Sequence, residues 1–171
     1  MTGMAMEIVM DPLIAESLSR FAPISLEALN RKAAMLERLD NKYIIHAARL
    51  RPAFDDFADL FDVLEIGGKR AFTYATRYFD DPAQRAYHDH HQRRRKRCKV
   101  RVRHYVDAGF SYLEVKLKDA RDATVKKRLK VDGPLGELDQ RCMDFIDECH
   151  IDLYGEDFGR WLFPVIAMEY R

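Results

Sequence analysis

Lys99, Arg101 and Arg103 alternate with Val100 and Val102, and the same two-residue period returns twice downstream. That is the period of a strand with one wet face and one packed face. In the stretch KVRVRHYVDAGFSYLEVKLKDARDATVKKRLK (99–130), Tyr112, Glu114, Lys116 and Lys118 share a face opposite Leu113, Val115 and Leu117. Thr124, Lys126, Arg128 and Lys130 then line up opposite Val125, Leu129 and Val131. Polar turns at Asp107-Ala108-Gly109 and Asp119 to Asp122 separate the runs. An antiparallel meander can bring the three cationic faces to one side. Like charges facing each other across strands are destabilising. Such a sheet either leaves that face in water or collects the cations to hold a polyanion, with Glu114 as an internal partner. Arg supplies planar paired donors for phosphate oxygens, and Lys a compact charge.

The 171 residues suit one domain or slightly more, and 47% hydrophobic content is enough for a core. The formal net charge of +1 excludes a global positive field of the kind nucleic-acid binders carry. The basic residues are concentrated instead, most densely from Arg93 to Arg103. The face lacks the interleaved stacking aromatics of a single-strand binder, so no specific nucleic acid is expected. Cys98, Cys142 and Cys149 lack CxxC spacing and suit neither a disulfide framework nor a zinc ribbon. No run is long enough to span a bilayer, and no signal peptide is evident, so a cytoplasmic location is expected.

Positioning elements can be read around this stretch. Pro12 to Leu18 and the segment after Ser25 predict short helices. Met35 to Ile45 predicts a strand, with Arg38, Asp40 and Lys42 alternating with Leu39, Asn41 and Tyr43. Ala47 to Phe61 predicts a helix with Phe54, Phe57 and Phe61 in the core and Pro52 tolerable only in its first turn. Asp62 to Ile66 predicts a strand, Gly67-Gly68 a hairpin turn, and Phe72 to Tyr78 another strand. Asp80 and Asp81 predict a strand end and the cap of a short helix carrying Arg85 and Tyr87. His88 and His91 are the only pair in the following histidine cluster at helical ligand spacing; a polar surface is the simpler expectation there. Leu135, Leu138, Cys142, Phe145, Ile146 and Cys149 predict an amphipathic helix. Trp161, Leu162 and Phe163 are expected to be buried, and Pro164 to Arg171 to form a last strand. The order is that of an α+β protein built on an antiparallel β-sheet with flanking helices.

Six segments, LDNKYII, TRYFDDPAQRAYHDH, RRRKRCKVRVRHY, FSYLEVKLK, TVKKRL and PVIAMEYR, resemble in that order the polyphosphate polymerase domain named VTC, after the vacuolar transporter chaperone. The resemblance runs from about Phe21 to Arg171 and points to a bacterial member of this branch of the CYTH-like, or triphosphate tunnel, superfamily. It implies a cationic β-barrel, of which this chain would form most, preceded by a helical segment over 1–34 with the tunnel domain over 35–171. It also implies transfer of the γ-phosphate of ATP to a polyphosphate chain, aided by a divalent metal, Mn2+ or Mg2+.

Carried over by position, Lys42 matches the lysine of the family's first KY strand, and Arg101 and Arg103 its paired phosphate-gripping arginines. Glu114 and Lys116 match its ExK strand, Lys126 and Arg128 the basic pair of the next, and Arg171 the arginine of the YxR strand. The resemblance makes Lys42, Arg101, Arg103 and Lys116 the expected catalytic group; Lys126, Arg128 and Arg171 join them in binding phosphate. Family members continue with strands bearing another arginine, a metal-binding glutamate and a late lysine, so the chain is expected to be truncated at its C-terminus. Glu114 and Asp40 are the local carboxylates best placed to hold metal. The alternatives are a triphosphate hydrolase of the same superfamily and a non-catalytic module binding polyphosphate or inositol phosphates. An open barrel edge would invite a second copy or a partner strand.

Overall fold

The computed structural model describes residues 12–32, 44–119, 123–133 and 136–170. The chain divides into two compact units, residues 1–72 and Thr73–Tyr170.

The first unit holds α1 (Pro12–Ser19), β1 (Ala22–Ile24), α2 (Leu26–Lys32), α3 (Ala47–Phe57) and β2 (Asp62–Leu64). Ser25 caps α2, its Oγ accepting from the N–H of Ala28 at 3.1 Å. β1 and β2 pair in parallel, with Ala22 opposite Asp62 and Ile24 opposite Leu64; this pairing is not evident from the sequence. Arg70 fastens the unit: Nε donates to Glu65 at 2.8 Å, and Nη1 to the carbonyls of Leu18 at 2.8 Å and Phe21 at 3.1 Å.

Three expectations fail here. Pro52 sits inside α3, beyond its first turn. Phe54 is half-buried and meets buried Phe21 edge-on at 5.9 Å. Phe57 and Phe61, however, are 46% and 59% exposed and pack chiefly on each other. The helix ends at Phe57, so Phe61 falls out of helical phase. Gly67 and Gly68 do form a turn, at φ +57° and +75°, but it closes a single bridge between Ile66 and Lys69. The expected strand over 35–45 and the boundary at 34/35 fall on 33–43, outside the described residues; Ile44 to His46 is irregular.

The second unit contains β3 (Tyr74–Asp80), α4 (Arg85–His91), β4 (Arg97–Tyr105), β5 (Phe110–Lys118), β6 (Thr124–Val131), α5 (Gln140–Tyr154) and β7 (Phe163–Tyr170). Its sheet runs β6-β5-β4-β3-β7, and every pair is antiparallel. Gly109, at φ +67°, turns the chain from β4 into β5 after a short 3-10 turn. The unit is α+β, as expected. Among the described residues β6 and β7 each pair on one side only.

One face of this sheet is the core. Val100 and Val102 of β4 and Leu113, Val115 and Leu117 of β5 pack with Cys142, Ile146 and Cys149 of α5. The helix begins at Asp139, whose carboxylate accepts from the N–H of Cys142 at 2.8 Å, and ends at left-handed Gly155. All three cysteines are buried and free of disulfides. Burial pushes the Cys98 and Cys142 thiols up to about 12, so both act as small apolar groups.

α4 is bracketed by Gln84 and Arg93, both non-glycine residues at positive φ. The expected burial of Trp161 and Phe163 is not found: they are 72% and 53% exposed. β7 is exposed along its whole length, and nothing among the described residues covers it. Pro164 lies beside a register shift on this strand, where its missing N–H is tolerated. No helix among the described residues is long and apolar enough to cross a membrane.

Ile146 is fully buried against the sheet. Ile146→Ala is expected to lower unfolding stability by about 2–5 kcal/mol, read as a drop in urea midpoint; an unchanged midpoint would mean that α5 does not pack as described.

Candidate functional site

The face opposite the core carries the cations, and the register sets them in rows. Lys99 of β4 stands opposite Lys116 of β5, which stands opposite Lys126 of β6. One pleat along, Tyr78, Arg101, Glu114 and Arg128 form the next row, followed by Thr76, Arg103, Tyr112 and Lys130. Strand alternation thus converts four separate sequence patterns into one surface.

Glu114 is the anchor of that surface. Its side chain is 1% exposed, while Arg101 is 24% and Lys126 38% exposed. Arg101 donates to Glu114 Oε2 from Nε at 2.7 Å, with Nη2 at 2.6 Å from the same oxygen. Lys126 Nζ lies 2.7 Å from Oε1, a close ion pair without the alignment of a hydrogen bond. Burial works against the carboxylate's charge, but Lys126 and Arg101 outweigh it and hold its pKa below the usual Glu range. Burial also works against the charge of Arg101, yet hydrogen bonds to Tyr78 and Glu114 raise its pKa further.

Tyrosines position the guanidinium groups. Arg101 Nη1 donates to Tyr78 Oη at 3.1 Å. Arg103 Nη2 donates to Tyr170 Oη at 2.5 Å, and Arg103 Nε lies 3.4 Å from Thr76 Oγ1. The Arg103 guanidinium also lies over the rings of Tyr74 and Tyr170, and Arg128 over Tyr112. The arginines are therefore held in set orientations.

At the other end of the face, α4 brings His90 to a pocket of about 70 Å³ lined otherwise by Arg97, Lys99, Lys116 and Lys118. α4 is tied down by the two aspartates that the sequence marks as caps. Asp80 accepts from the N–H groups of Ala86 and Tyr87, each at 3.0 Å, and Asp81 from that of Ala83 at 2.9 Å. Asp81 also pairs with Arg85 at 2.6 Å.

Of the expected site residues, Arg101, Arg103, Glu114, Lys116, Lys126 and Arg128 come together on this one face. Lys42, Asp40 and Arg171 lie outside the described residues. Glu114 does not suit a metal as it stands, because both its oxygens are engaged by cations. Among the described residues no group of three or more His, Cys, Asp or Glu could hold an ion. His88 and His91 are exposed beside Tyr87, whose ring stacks on that of His91. Tyr78, Tyr170 and His90 are not among the site residues expected from the sequence. The alternation of Tyr74, Thr76 and Tyr78 carried a signal for Tyr78; nothing in the sequence tied His90 to the distant Lys116.

The fold and the face define a class: an antiparallel sheet with one apolar side under a helix and one cationic side braced by a buried glutamate. A family model described as the VTC domain matches residues 37–137, more than half of the chain. The chain belongs to the VTC domain family, and its function is polyphosphate-related in the general sense of that family. No curated protein and no solved structure matches it.

Removing the charge of Glu114 strands two cations. Glu114→Gln is expected to lower stability at neutral pH by about 1–3 kcal/mol. A lowered carboxylate pKa contributes stability above the ordinary Glu value, lost as pH falls through the folded value. The loss caused by the substitution therefore shrinks on acidification in urea titrations at successive pH values; a gap that stays constant into acid would refute the clamp.

Proposed function

We propose that the cationic face is the phosphate-holding wall of a polyphosphate polymerase. The observation that carries this is the row Lys99–Lys116–Lys126 with Arg101 and Arg103 beside it, on one face of a VTC-family chain. Opposed cations cost free energy, and a phosphate chain laid across them would turn that repulsion into attraction. The five-stranded sheet would be part of the family's tunnel barrel.

In this reaction an oxygen of the acceptor chain's terminal phosphate attacks the γ-phosphorus of ATP. The bond from that phosphorus to the β–γ bridging oxygen breaks, ADP leaves, and the chain is one phosphate longer. Such transfers depend on positioning and charge neutralisation more than on covalent chemistry. Arg101 suits the task because Glu114 and Tyr78 hold three of its five N–H donors, leaving donors for phosphate. Arg103, held by Thr76 and Tyr170, and Lys116 would grip neighbouring phosphates. Lys42 and Arg171 belong to the proposal by resemblance alone. Mn2+ or Mg2+ enters it only as the companion of ATP.

The test is incubation of the purified protein with ATP and Mn2+, with and without short polyphosphate, and gel analysis of the products. Chain growth is expected, falling at least about a hundred-fold in Arg101→Ala, as when one preorganised donor is removed. Free phosphate without longer chains would replace the polymerase by a triphosphate hydrolase. Calorimetric ATP or polyphosphate binding without turnover would replace it by a binding module. Neither binding nor turnover would end the assignment.

A further inference from the structure

We propose that His90 completes a second phosphoryl subsite, beyond Arg101 on the same face, and that polyphosphate takes up a proton on entering it. The inference rests on the proposal that this face holds phosphate, and goes beyond it in naming the place and the proton.

The pocket is built from three elements and lined by basic groups alone: His90 of α4, Arg97 and Lys99 of β4, Lys116 and Lys118 of β5. Arg97 stands directly opposite Lys118, and Lys99 directly opposite Lys116. Two consecutive like-charge pairs, with a titratable base added from a third element, are matched by a ligand carrying several negative charges. The placement of His90 is enforced, since Asp80 and Asp81 bind the start of α4 and Asp89 pairs with Arg94 just past its end at 3.2 Å.

His90 is the group there whose charge changes near neutrality. Partial desolvation of this otherwise exposed side chain, then the charges of Lys99, Arg97, Lys116 and His91, hold its pKa below the ordinary histidine value. On α4 itself, Asp89, His91 and Tyr87 are its titratable neighbours, and the Asp89 carboxylate is paired with Arg94. From β3, Asp80 shares an adjoining pocket with His90, but its carboxylate is engaged by the backbone of α4. The unliganded imidazole is therefore neutral where an isolated one would begin to charge. A phosphate among the cations reverses the local field and favours the imidazolium. Affinity then rises as pH falls, and binding consumes protons.

Arg97 precedes Arg101 by four residues of extended strand, roughly 13 Å. A long polyphosphate can reach both places at once, whereas a single orthophosphate can occupy only one.

Calorimetry with long-chain polyphosphate, at about pH 6 and about pH 8 on either side of the ordinary histidine value, tests this. Each pH is run in buffers of different ionisation enthalpy so that proton uptake is read directly. Wild type is expected to bind roughly five-fold tighter at the lower pH, with net proton uptake. His90→Gln is expected to lose most of the pH gain and most of the proton uptake. The anion's own titration is common to the two proteins, so their difference isolates His90. If His90→Gln retains the full pH gain and proton uptake, the subsite is overturned while the polyphosphate proposal stands. If wild type does not bind, or Arg101→Ala binds as wild type does, the polyphosphate proposal falls and takes the subsite with it.

Discussion

A carboxylate buried to 1% exposure between an arginine and a lysine is costly unless both charges are met. Glu114 meets them from the middle of β5, the strand that also supplies Leu113, Val115 and Leu117 to the core. Its neighbours in sequence therefore point into the apolar layer while its own side chain organises the opposite surface. The position of Arg101 follows from Glu114, and the hydroxyl of Tyr78 on the next strand fixes the guanidinium plane. If β5 slipped by one residue, Glu114 would turn into the hydrophobic layer and Leu113 or Val115 onto the charged face. The ion pair thus sets register as well as charge.

The two faces of the sheet depend on each other. α5 and the β-branched and leucine side chains beneath it stabilise strands whose outer face would otherwise repel itself. The register sets Lys99 directly opposite Lys116 on that face, an arrangement that by itself opposes pairing. The tyrosines around Arg103 extend the same principle: a guanidinium lying over aromatic rings loses little rotational freedom on meeting an anion.

The central strands and α5 were legible because their patterns are strict. β4, β5 and β6 alternate charge with Val and Leu, and α5 repeats apolar residues at Cys142, Ile146 and Cys149. That Arg101, Arg103, Glu114, Lys116, Lys126 and Arg128 share one face followed from the same alternation. Elements whose burial depends on a remote partner were not legible. β1 and β2 are three residues each, too short for periodicity to announce a parallel pair. Phe163, Val165, Ile166 and Met168 have the composition of a packed strand, yet stand exposed at an edge. The spacing that puts Phe61 in the core requires a helix longer than α3, which stops at Phe57. His90 was hidden because its neighbours Lys99 and Lys116 come from two different strands.

The two left-handed residues that bracket α4, Gln84 and Arg93, have a further consequence. A side-chain-bearing residue in that conformation costs on the order of 1 kcal/mol relative to the ordinary helical region. The strain is concentrated at the two ends of a seven-residue helix and is absent from β4 and β5. The segment from Asp81 to Arg94 therefore carries a local conformational cost, which the contacts of Asp80, Asp81 and Asp89 must offset. The basic pocket consequently has one wall held by side-chain contacts against a backbone cost, and two held by the sheet ladder itself.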